Sequence, residues 1–335
     1  MSKIGILGAG SWGTALSIVL AKNGHQVELW SAVKPEIDML KLHREHKDRL
    51  PGVLLPENIL IQEDLGTCCH AKDLLVFAVA SPYVRDTARK AASFIQDRQI
   101  IVNVAKGIEE TTLMTLSELL EQEITNADIA VLSGPSHAEE VSKGIPTTVV
   151  VGAKTKKTAT FIQEIFMNDF FRVYTSPDMI GIELGSSLKN VIALAAGAID
   201  GLELGDNTKA ALITRGIAEM SRLGMAMGGR METFGGLSGI GDLIVTCTSK
   251  HSRNRNAGYL MGKGYTAKEA MEEVKQVVEG VYSAKAALLL AQKFNVSMPI
   301  VKEVNQVLFN DKSAKEALND LFTRDKKSEY SDLSW

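Results

Sequence analysis

The chain has 335 residues, which is too long for one ordinary hydrophobic core and favours about two domains. Apolar residues make up 45% of the sequence and charged residues 23%, as in globular proteins. The net charge is only −3, and neither an acidic tail nor a basic stripe is present. The composition therefore argues against nucleic acid or an anionic membrane surface as a partner.

The sequence also predicts where the protein resides. Strand-like residues follow Lys3 directly, leaving no room for a secretory signal peptide. The longest apolar run, residues 191 to 199, is far shorter than the roughly 20 residues of a membrane span. Three cysteines, two of them adjacent at Cys68 and Cys69, fit a reducing compartment, and no C-x-x-C pair suggests zinc. We expect a cytoplasmic protein with no membrane span and no metal site.

The first half of the chain alternates short apolar runs with helical patterns. Several runs are continuously apolar, which is typical of parallel strands covered by helices on both faces. This alternation predicts an α/β, Rossmann-type doubly wound sheet. The predicted strands cover residues 3–9, 26–30, 73–79, 99–105, 128–133, 147–153 and 170–176.

The pattern changes near Pro177, where helical periodicity begins and alanine, glycine and methionine become frequent. The pattern thus predicts an α/β domain over residues 1–177 and an all-helical domain over residues 178–320. The polar tail, residues 321–335, is expected to fray.

Gly8, Gly10 and Gly13 have G-x-G-x-x-G spacing between the first predicted strand and a helix, with a second strand following within about 30 residues. In this context the first glycine allows a tight turn, the second lets a pyrophosphate approach the backbone, and the third lets the helix pack against the sheet. The helix N-terminus then receives the phosphate charge. The motif predicts an NAD or NADP site.

The choice between NAD and NADP is left open by the sequence. An NAD site usually has an acidic residue at the end of the second strand, but Ser31 and Ala32 stand there, and Glu28 comes too early. Lys34 is placed either to face a 2′-phosphate or to be a solvated loop charge.

Lys189 lies in "ELGSSLKNVIALAAGAID", a helix whose other side chains are mostly apolar or small. Burying an ammonium is costly, so either the lysine reaches water along its own stem or the fold retains it for chemistry. Burial in an apolar helix would lower its pKa towards neutrality, as an acid–base catalyst requires.

Polar residues after the later strands are further candidates. Lys106 follows the fourth predicted strand, at the edge where open α/β sheets bind ligands. Ser136 and Glu139 have the spacing of a capping box. Arg253 and Asn254 together offer a guanidinium fork and an amide to a phosphate. Each also has a structural alternative: a surface lysine, a capped helix, or a solvated basic loop.

Six segments together resemble bacterial NAD(P)-dependent glycerol-3-phosphate dehydrogenase, and they occur in order from residue 8 to residue 284. The long segment that contains Lys189 is the most specific of them. The segments are "GAGSWGTAL", "NVAKGIE", "SGPSHAEEV", "ELGSSLKNVIALAAGAIDGLELGDNTKAALITRGIAEM", "GLSGIGDLIVTCTSKHSRN" and "VVEGVYSA".

The resemblance implies reversible hydride transfer between NAD(P)H and dihydroxyacetone phosphate, giving sn-glycerol 3-phosphate for phospholipid synthesis. It implies that Lys189 is the general acid and base, with Lys106 and Asp242 beside it. The implied cofactor residues are Gly8, Gly10, Ser11, Trp12, Gly13, Lys106, Ala138, Arg253, Val277 and Glu279. The implied substrate residues are Lys106, Gly134, Ser136, Lys189, Asn190, Asp242, Thr246, Ser252, Arg253 and Asn254.

Two other functions are compatible with parts of this pattern. A reductase of another small keto acid or phosphosugar would share the two-domain layout and the lysine–asparagine pair. A nucleotide sensor without turnover would bind the cofactor but lack Lys189 or Lys106, and both are present. The small residues of the helical half also suggest a homodimer.

Overall fold

The structure is a computed structural model, and it describes residues 1–326, 328 and 329. Its first half contains an eight-stranded sheet. The strands are β1 Lys3–Leu7, β2 Gln26–Trp30, β3 Ile59–Gln62, β4 Leu74–Phe77, β5 Ile100–Asn103, β6 Asp128–Ser133, β7 Thr147–Ala153 and β8 Phe171–Ser176. Their order in the sheet is β3-β2-β1-β4-β5-β6-β7-β8, and neighbouring strands are parallel except for β6 and β7, which are antiparallel.

Helices connect the strands, and within the described residues all regular elements of the second half are helices. The helices of the first half are α1 Ser11–Lys22, α2 Lys34–His43, α3 Leu65–Cys69, α4 Val84–Ala92, α5 Leu116–Glu123, α6 Ala138–Val141 and α7 Lys156–Phe166, with a 3₁₀ turn at Ser81–Tyr83. Those of the second half are α8 Met179–Gly201, α9 Gly205–Ala226, α10 Met231–Phe234, α11 Asp242–Thr248, α12 Arg253–Gly262, α13 Ala267–Val274, α14 Glu279–Lys293, α15 Pro299–Phe309 and α16 Ala314–Phe322, with a π-helical turn at Leu237–Gly241.

The predicted doubly wound sheet and helical second half are confirmed, but one strand was missed, strands β1, β4 and β5 each end two residues earlier than predicted, and one strand pair is antiparallel. Strand β3 was missed, since its run of four residues is short. Strand β1 ends at Leu7 rather than at residue 9, because Gly8 turns the chain with a φ of +118°. Strand β7 runs antiparallel to β6, which the apolar pattern alone does not reveal.

The sheet carries apolar helices on both faces. Ile4 and Ile6 of β1 pack on one face with residues of α1 and α7, whereas Leu75 and Phe77 of β4 pack on the other with residues of α3, α4 and α5. This burial on both faces explains why the central strands are apolar throughout.

Helix α8 lies at the centre of the second half and packs closely against α12. A Cβ atom on Gly197 would lie 1.9 Å from the carbonyl oxygen of Arg255, and one on Gly258 would lie 1.9 Å from that of Leu194. Glycine is therefore required at both positions, because the two backbones touch. The close approach brings the start of α12 beside the middle of α8.

By length and composition α8 is able to cross a bilayer, which the sequence analysis did not anticipate. Its mean hydropathy reaches 1.3 over 18 residues, but 89% of that window is buried inside the protein. A core helix meets the same test, so the finding is weak evidence for a span.

Helix α8 is also attached to the sheet half. The buried carboxylate of Glu183 accepts a hydrogen bond of 2.9 Å from the backbone N–H of Ser117 in α5, and a second from the Ser117 hydroxyl.

Part of the predicted tail, residues 321–335, can be compared with the structure. Its first two residues complete α16, while Lys327 and residues 330–335 lie outside the described residues.

Candidate active site

A cleft of about 600 Å³ opens at the carboxyl ends of the central strands, against α8 and α12. Its walls include residues that follow β1, β4, β5 and β6. The strand order reverses between β1 and β4, since the chain goes from β1 outward to β3 before returning. Such a reversal is where doubly wound sheets bind ligands.

The glycine-rich loop forms one end of the cleft. Gly8 needs its positive φ, and a Cβ on Gly13 would lie 1.9 Å from the carbonyl oxygen of Gly8. Gly10 is different, because a Cβ there would meet no atom closer than Nη1 of Arg49 at 4.0 Å. Two of the glycines thus build the turn, while the third leaves the backbone open towards the cleft.

The loop fits the phosphates of a dinucleotide. Gly10 is the N-cap of α1, a helix of 12 residues, so unpaired N–H groups and the positive end of the helix dipole point into the cleft. Ser11 and Trp12 line the same wall. The buried indole Nε1 of Trp12 has no hydrogen-bond partner among the described residues.

Beyond the end of β2, Arg49 lines the cleft and Lys34 does not. Lys34 lies on the surface and pairs with Asp38 at 2.5 Å and Glu63 at 3.5 Å, as the solvated alternative requires. Arg49, which the sequence analysis missed, lines the cleft and pairs with Glu36 at 2.8 Å. No motif around Arg49 could have identified it.

At the other end, one carboxylate joins both candidate lysines. Oδ1 of Asp242 lies 2.7 Å from Nζ of Lys189, and Oδ2 lies 2.7 Å from Nζ of Lys106. Lys189 also donates a 2.6 Å hydrogen bond to Oγ1 of Thr246, and Lys106 a 3.2 Å bond to the carbonyl of Gly134. The side chain of Lys189 is only 6% exposed, so the lysine is buried with a partner and does not reach for bulk water.

Burial lowers the pKa of Lys189 to about 8, with Lys106 acting in the same direction and Asp242 in the opposite one. Burial disfavours the charged carboxylate of Asp242, but Lys106 and Lys189 outweigh that effect and hold its pKa below the ordinary value. Asp242 therefore remains ionised, and Lys189 can change its charge near neutral pH.

A π-helical turn positions Asp242. Leu237–Gly241 leads into α11, whose first residue is Asp242. Gly239 has to be glycine, because a Cβ there would lie 2.1 Å from the carbonyl oxygen of Phe234. Single π turns of this kind are frequent at functional sites.

The loop after β5 positions Lys106. The side chain of Asn103 accepts a hydrogen bond from the backbone N–H of Ala105 and donates another to its carbonyl. Gly107 lies against Ser81, where a Cβ would come within 2.4 Å of the serine Cβ. Both contacts turn the chain so that Lys106 enters the cleft.

The start of α12 forms the wall beside Lys189. Ser252 is its N-cap and accepts a hydrogen bond from the backbone N–H of Arg255. The side chain of Asn254 donates to Oδ1 of Asn190 and accepts from the backbone N–H of Gly280. Nδ2 of Asn190 has no partner among the described residues, so the free amide donor of this pair belongs to Asn190.

Arg253 lines the cleft and donates a 3.2 Å hydrogen bond to the carbonyl of Val277. Glu279, the first residue of α14, lines the cleft as well. Burial raises the pKa of Glu279, while Arg253, Lys106 and Lys189 oppose the rise.

The predicted capping box at Ser136 and Glu139 is wrong. Helix α6 begins at Ala138, with His137 as its N-cap, and no side chain caps it. The hydroxyl of Ser136 instead donates to the carbonyl of Gly134, because Ser136 lies two residues before the helix. Ser136 and Ala138 both line the cleft, as does His137.

The structure brings most of the predicted site residues to one cleft. The lining residues among them are Gly10, Ser11, Trp12, Lys106, Ser136, Ala138, Lys189, Asn190, Thr246, Ser252, Arg253, Asn254 and Glu279. The others lie just behind the walls: Gly8 and Gly13 beneath the loop, Gly134 and Asp242 behind the lysines, and Val277 behind Arg253.

A dinucleotide loop on a doubly wound sheet, facing a buried lysine with a pKa near neutrality, defines an NAD(P)-dependent oxidoreductase. Two family models match the chain: the N-terminal domain of NAD-dependent glycerol-3-phosphate dehydrogenase over residues 3–159, and its C-terminal domain over residues 178–319. The chain belongs to this family.

Individual relatives are similar over their whole length. The chain is 64% identical to glycerol-3-phosphate dehydrogenase [NAD(P)+] of Agathobacter rectalis, covering 100% of both chains. It is 58% identical to that of Fusobacterium nucleatum, covering 98% of this chain and 99% of the relative. A crystal structure of glycerol-3-phosphate dehydrogenase from Coxiella burnetii superposes with a TM-score of 0.94 at 37% identity, covering 96% of this chain and 99% of the other.

The different surroundings of Gly10 and Gly13 lead to a prediction. Gly13→Ala places a methyl group against the backbone of Gly8, and we expect it to lower the free energy of unfolding by about 1–3 kcal/mol and to abolish NAD(P)H binding. Gly10→Ala meets no such contact, so it should leave the melting temperature unchanged and weaken NAD(P)H binding by about tenfold or more. Calorimetry and cofactor fluorescence titration measure the two effects. A Gly10→Ala protein that binds NAD(P)H normally would contradict our placement of the phosphates.

Proposed function

We propose that the protein interconverts dihydroxyacetone phosphate and sn-glycerol 3-phosphate by hydride transfer with NAD(P)H, and so supplies glycerol phosphate for phospholipid synthesis. One observation carries the mechanism: the ammonium of Lys189 is buried at the cleft and held by a carboxylate that it shares with a second lysine. The chemistry follows from that geometry.

When bound, the reduced nicotinamide supplies the hydride that converts the substrate ketone into an alcohol. A hydride on the carbonyl carbon leaves charge on the oxygen, which has to receive a proton. In this proposal Lys189 donates that proton during reduction and accepts it during oxidation. Its pKa of about 8 suits both directions near neutral pH.

The hydrogen bonds of the two lysines leave a donor for the substrate on each. An ammonium has three N–H bonds. Lys189 uses two of them on Asp242 and Thr246, and Lys106 uses two on Gly134 and Asp242. The third N–H of each lysine is free to point at the carbonyl oxygen. Lys106 would thereby stabilise the developing negative charge, while Lys189 transfers the proton.

The start of α12 is our proposed site for the substrate phosphate. Arg253 supplies a guanidinium, and the N-terminus of α12 at Ser252 adds backbone N–H groups and a favourable dipole. Asn190 supplies the free amide, with Asn254 holding it in place. A dianionic phosphate requires such compensation in a partly dry cleft.

The other assignments form part of the same proposal. Gly134 and Ser136 would contact the substrate, and Ala138, Val277 and Glu279 the cofactor. Residues 1–177 would bind the cofactor, and residues 178–320 would carry the substrate. We infer a cytoplasmic location, and the three cysteines support it because each is a buried free thiol.

Removal of the Lys189 amine tests the function. We expect Lys189→Ala to lower kcat for dihydroxyacetone phosphate reduction by on the order of 10²–10⁴-fold, because the proton donor is lost. The dissociation constant for NAD(P)H should change little. Oxidation of NADH and NADPH at 340 nm gives the rates, and fluorescence titration gives the binding constants. Lys315→Ala, an exposed lysine of α16, is the matched control. If wild-type protein gives no turnover with either cofactor, the proposed function fails.

The pH dependence tests the role of Asp242. Reduction requires protonated Lys189, so kcat/KM for reduction should fall as pH rises through about 8, and that for oxidation should rise through the same pH. Asp242 favours the charged lysine, so Asp242→Asn should move both inflections to lower pH and slow the reaction. Asp206→Asn, at an exposed carboxylate of α9, should leave them in place. An unchanged inflection in Asp242→Asn would remove Asp242 from the acid–base system.

We also propose that the protein is a homodimer. The exposed side of α9 carries small and apolar residues, including Ala210, Ala211 and Met225, which suit contact with a second copy. Light scattering should give twice the mass of one chain, and Met225→Glu should shift the protein towards the single-chain mass. A wild-type protein at the single-chain mass would rule out the dimer.

A further inference from the structure

Glu36 lies behind Arg49, beyond the end of β2 where the adenosine ribose of a dinucleotide is expected, and its carboxylate is already occupied. Glu36 is in the first turn of α2, directly beyond β2, and is 8% exposed. One oxygen accepts a 2.6 Å hydrogen bond from the hydroxyl of Ser31, and the other lies 2.8 Å from Nη2 of Arg49. The buried His46 lies 3.8 Å away.

An acidic residue beyond the second strand normally selects NAD, because its carboxylate accepts hydrogen bonds from the ribose hydroxyls. In this chain Ser31 and Arg49 take up both oxygens of the carboxylate that comes nearest to that position. Burial raises the pKa of Glu36, but the nearby His46, the hydrogen bond from Ser31 and the charge of Arg49 outweigh it and hold the pKa below the ordinary value. The carboxylate is therefore charged, and its charge is directed at Arg49.

The backbone of Arg49 is held in place as well. Its carbonyl accepts a 2.9 Å hydrogen bond from the hydroxyl of Ser11, the residue that follows Gly10 in the loop. Nη1 lies 4.0 Å from the position of a Cβ on Gly10. Arg49 is thus tied to the glycine-rich loop through its backbone carbonyl, and to the end of β2 through the contact of its guanidinium with Glu36, which Ser31 also bonds. Its side chain remains 39% exposed, which leaves donors free for a ligand.

The rival cation at this end is Lys34, and it is directed away. Its ammonium pairs with Asp38 and Glu63 on the surface, and it does not line the cleft. Arg49 is accordingly the guanidinium that the described structure presents between the glycine-rich loop and the end of β2.

We propose that Glu36 is a positioning residue that holds Arg49 against the 2′-phosphate of NADPH, so that the Ser31–Glu36–Arg49 chain sets the preference for NADPH over NADH. This inference rests on the proposed function and names the residues that determine its cofactor specificity. In this proposal Glu36 does not bind the ribose hydroxyls of NAD. It fixes the position of Arg49, which binds the phosphate. Arginine suits that role because its fork of donors matches a phosphate.

The test is the ratio of kcat/KM with NADPH to kcat/KM with NADH, measured with dihydroxyacetone phosphate at fixed salt. Arg49→Met replaces the aliphatic stem of the arginine with an unbranched chain of similar bulk but removes the guanidinium and its charge, and it leaves Glu36 to repel a phosphate. We expect the ratio to fall about 10- to 100-fold, since hydrogen bonds to charged groups contribute about 1.5–3 kcal/mol. Nearly all of the loss should be in KM for NADPH.

Glu36→Gln tests the contribution of the Glu36 carboxylate separately from that of Arg49. The arginine keeps its charge but loses its ionic partner, so the ratio should fall by a smaller factor of about 3- to 10-fold, with NADH kinetics nearly unchanged. Lys34→Met is the matched control and should leave the ratio at the wild-type value, because Lys34 lies outside the cleft.

The outcomes separate clearly. Equal losses with both cofactors in Arg49→Met would mean that Arg49 contacts the shared pyrophosphate, and the proposal would be wrong. A normal ratio in Glu36→Gln alongside a lowered one in Arg49→Met would remove Glu36 from cofactor selection. A lowered ratio in Lys34→Met would assign the 2′-phosphate to the lysine. In each of these results the wild-type protein still turns over dihydroxyacetone phosphate, so failure of this proposal is distinct from failure of the proposed function.

Discussion

The site depends on one buried carboxylate that two lysines share. Asp242 is 1% exposed and lies 2.7 Å from the ammonium of each lysine. Without it, two largely buried cations would face each other, and the free energy of burying them would disfavour the folded arrangement. Asp242 comes from α11, Lys189 from α8 and Lys106 from the loop after β5. The same ion pairs therefore join the helical half to the edge of the sheet and bring together the two lysines to which we assign the chemistry.

Close backbone contacts make that meeting possible. Gly197 and Gly258 let α8 and α12 touch, and Gly239 lets the π-helical turn fold back onto Phe234. Each contact moves a polar group towards Lys189, either the start of α12 or the carboxylate of Asp242. The high glycine and alanine content of the helical half is thus a requirement of the site's geometry, because larger side chains would hold these elements apart.

The same electrostatic rule applies at both ends of the cleft. A charge placed in a poorly hydrated position is held by a partner, and the partner decides what the charge can do. At the end near α8, Asp242 holds Lys189 and Lys106, and each lysine keeps one donor free. At the end beyond β2, the buried carboxylate of Glu36 is held by the guanidinium of Arg49. Lys34 is only two residues from Glu36 in sequence, but it pairs with Asp38 and Glu63 on the surface and does not line the cleft.

The sequence by itself determined the parts that depend on local pattern. Apolar runs and glycine spacing identified the doubly wound sheet and the cofactor loop, and the lone Lys189 in an apolar helix indicated burial, because these features follow from neighbours along the chain. Only the tertiary structure decided which partners the charges have. Asp242 is 53 residues from Lys189 and 136 from Lys106, and Arg49 is separated from Glu36 by the rest of α2 and the loop that follows it. The π-helical turn, the antiparallel strand and the loss of the capping box at Ser136 were decided in the same way. Such pairings result from packing between elements distant in sequence, and no local periodicity records them.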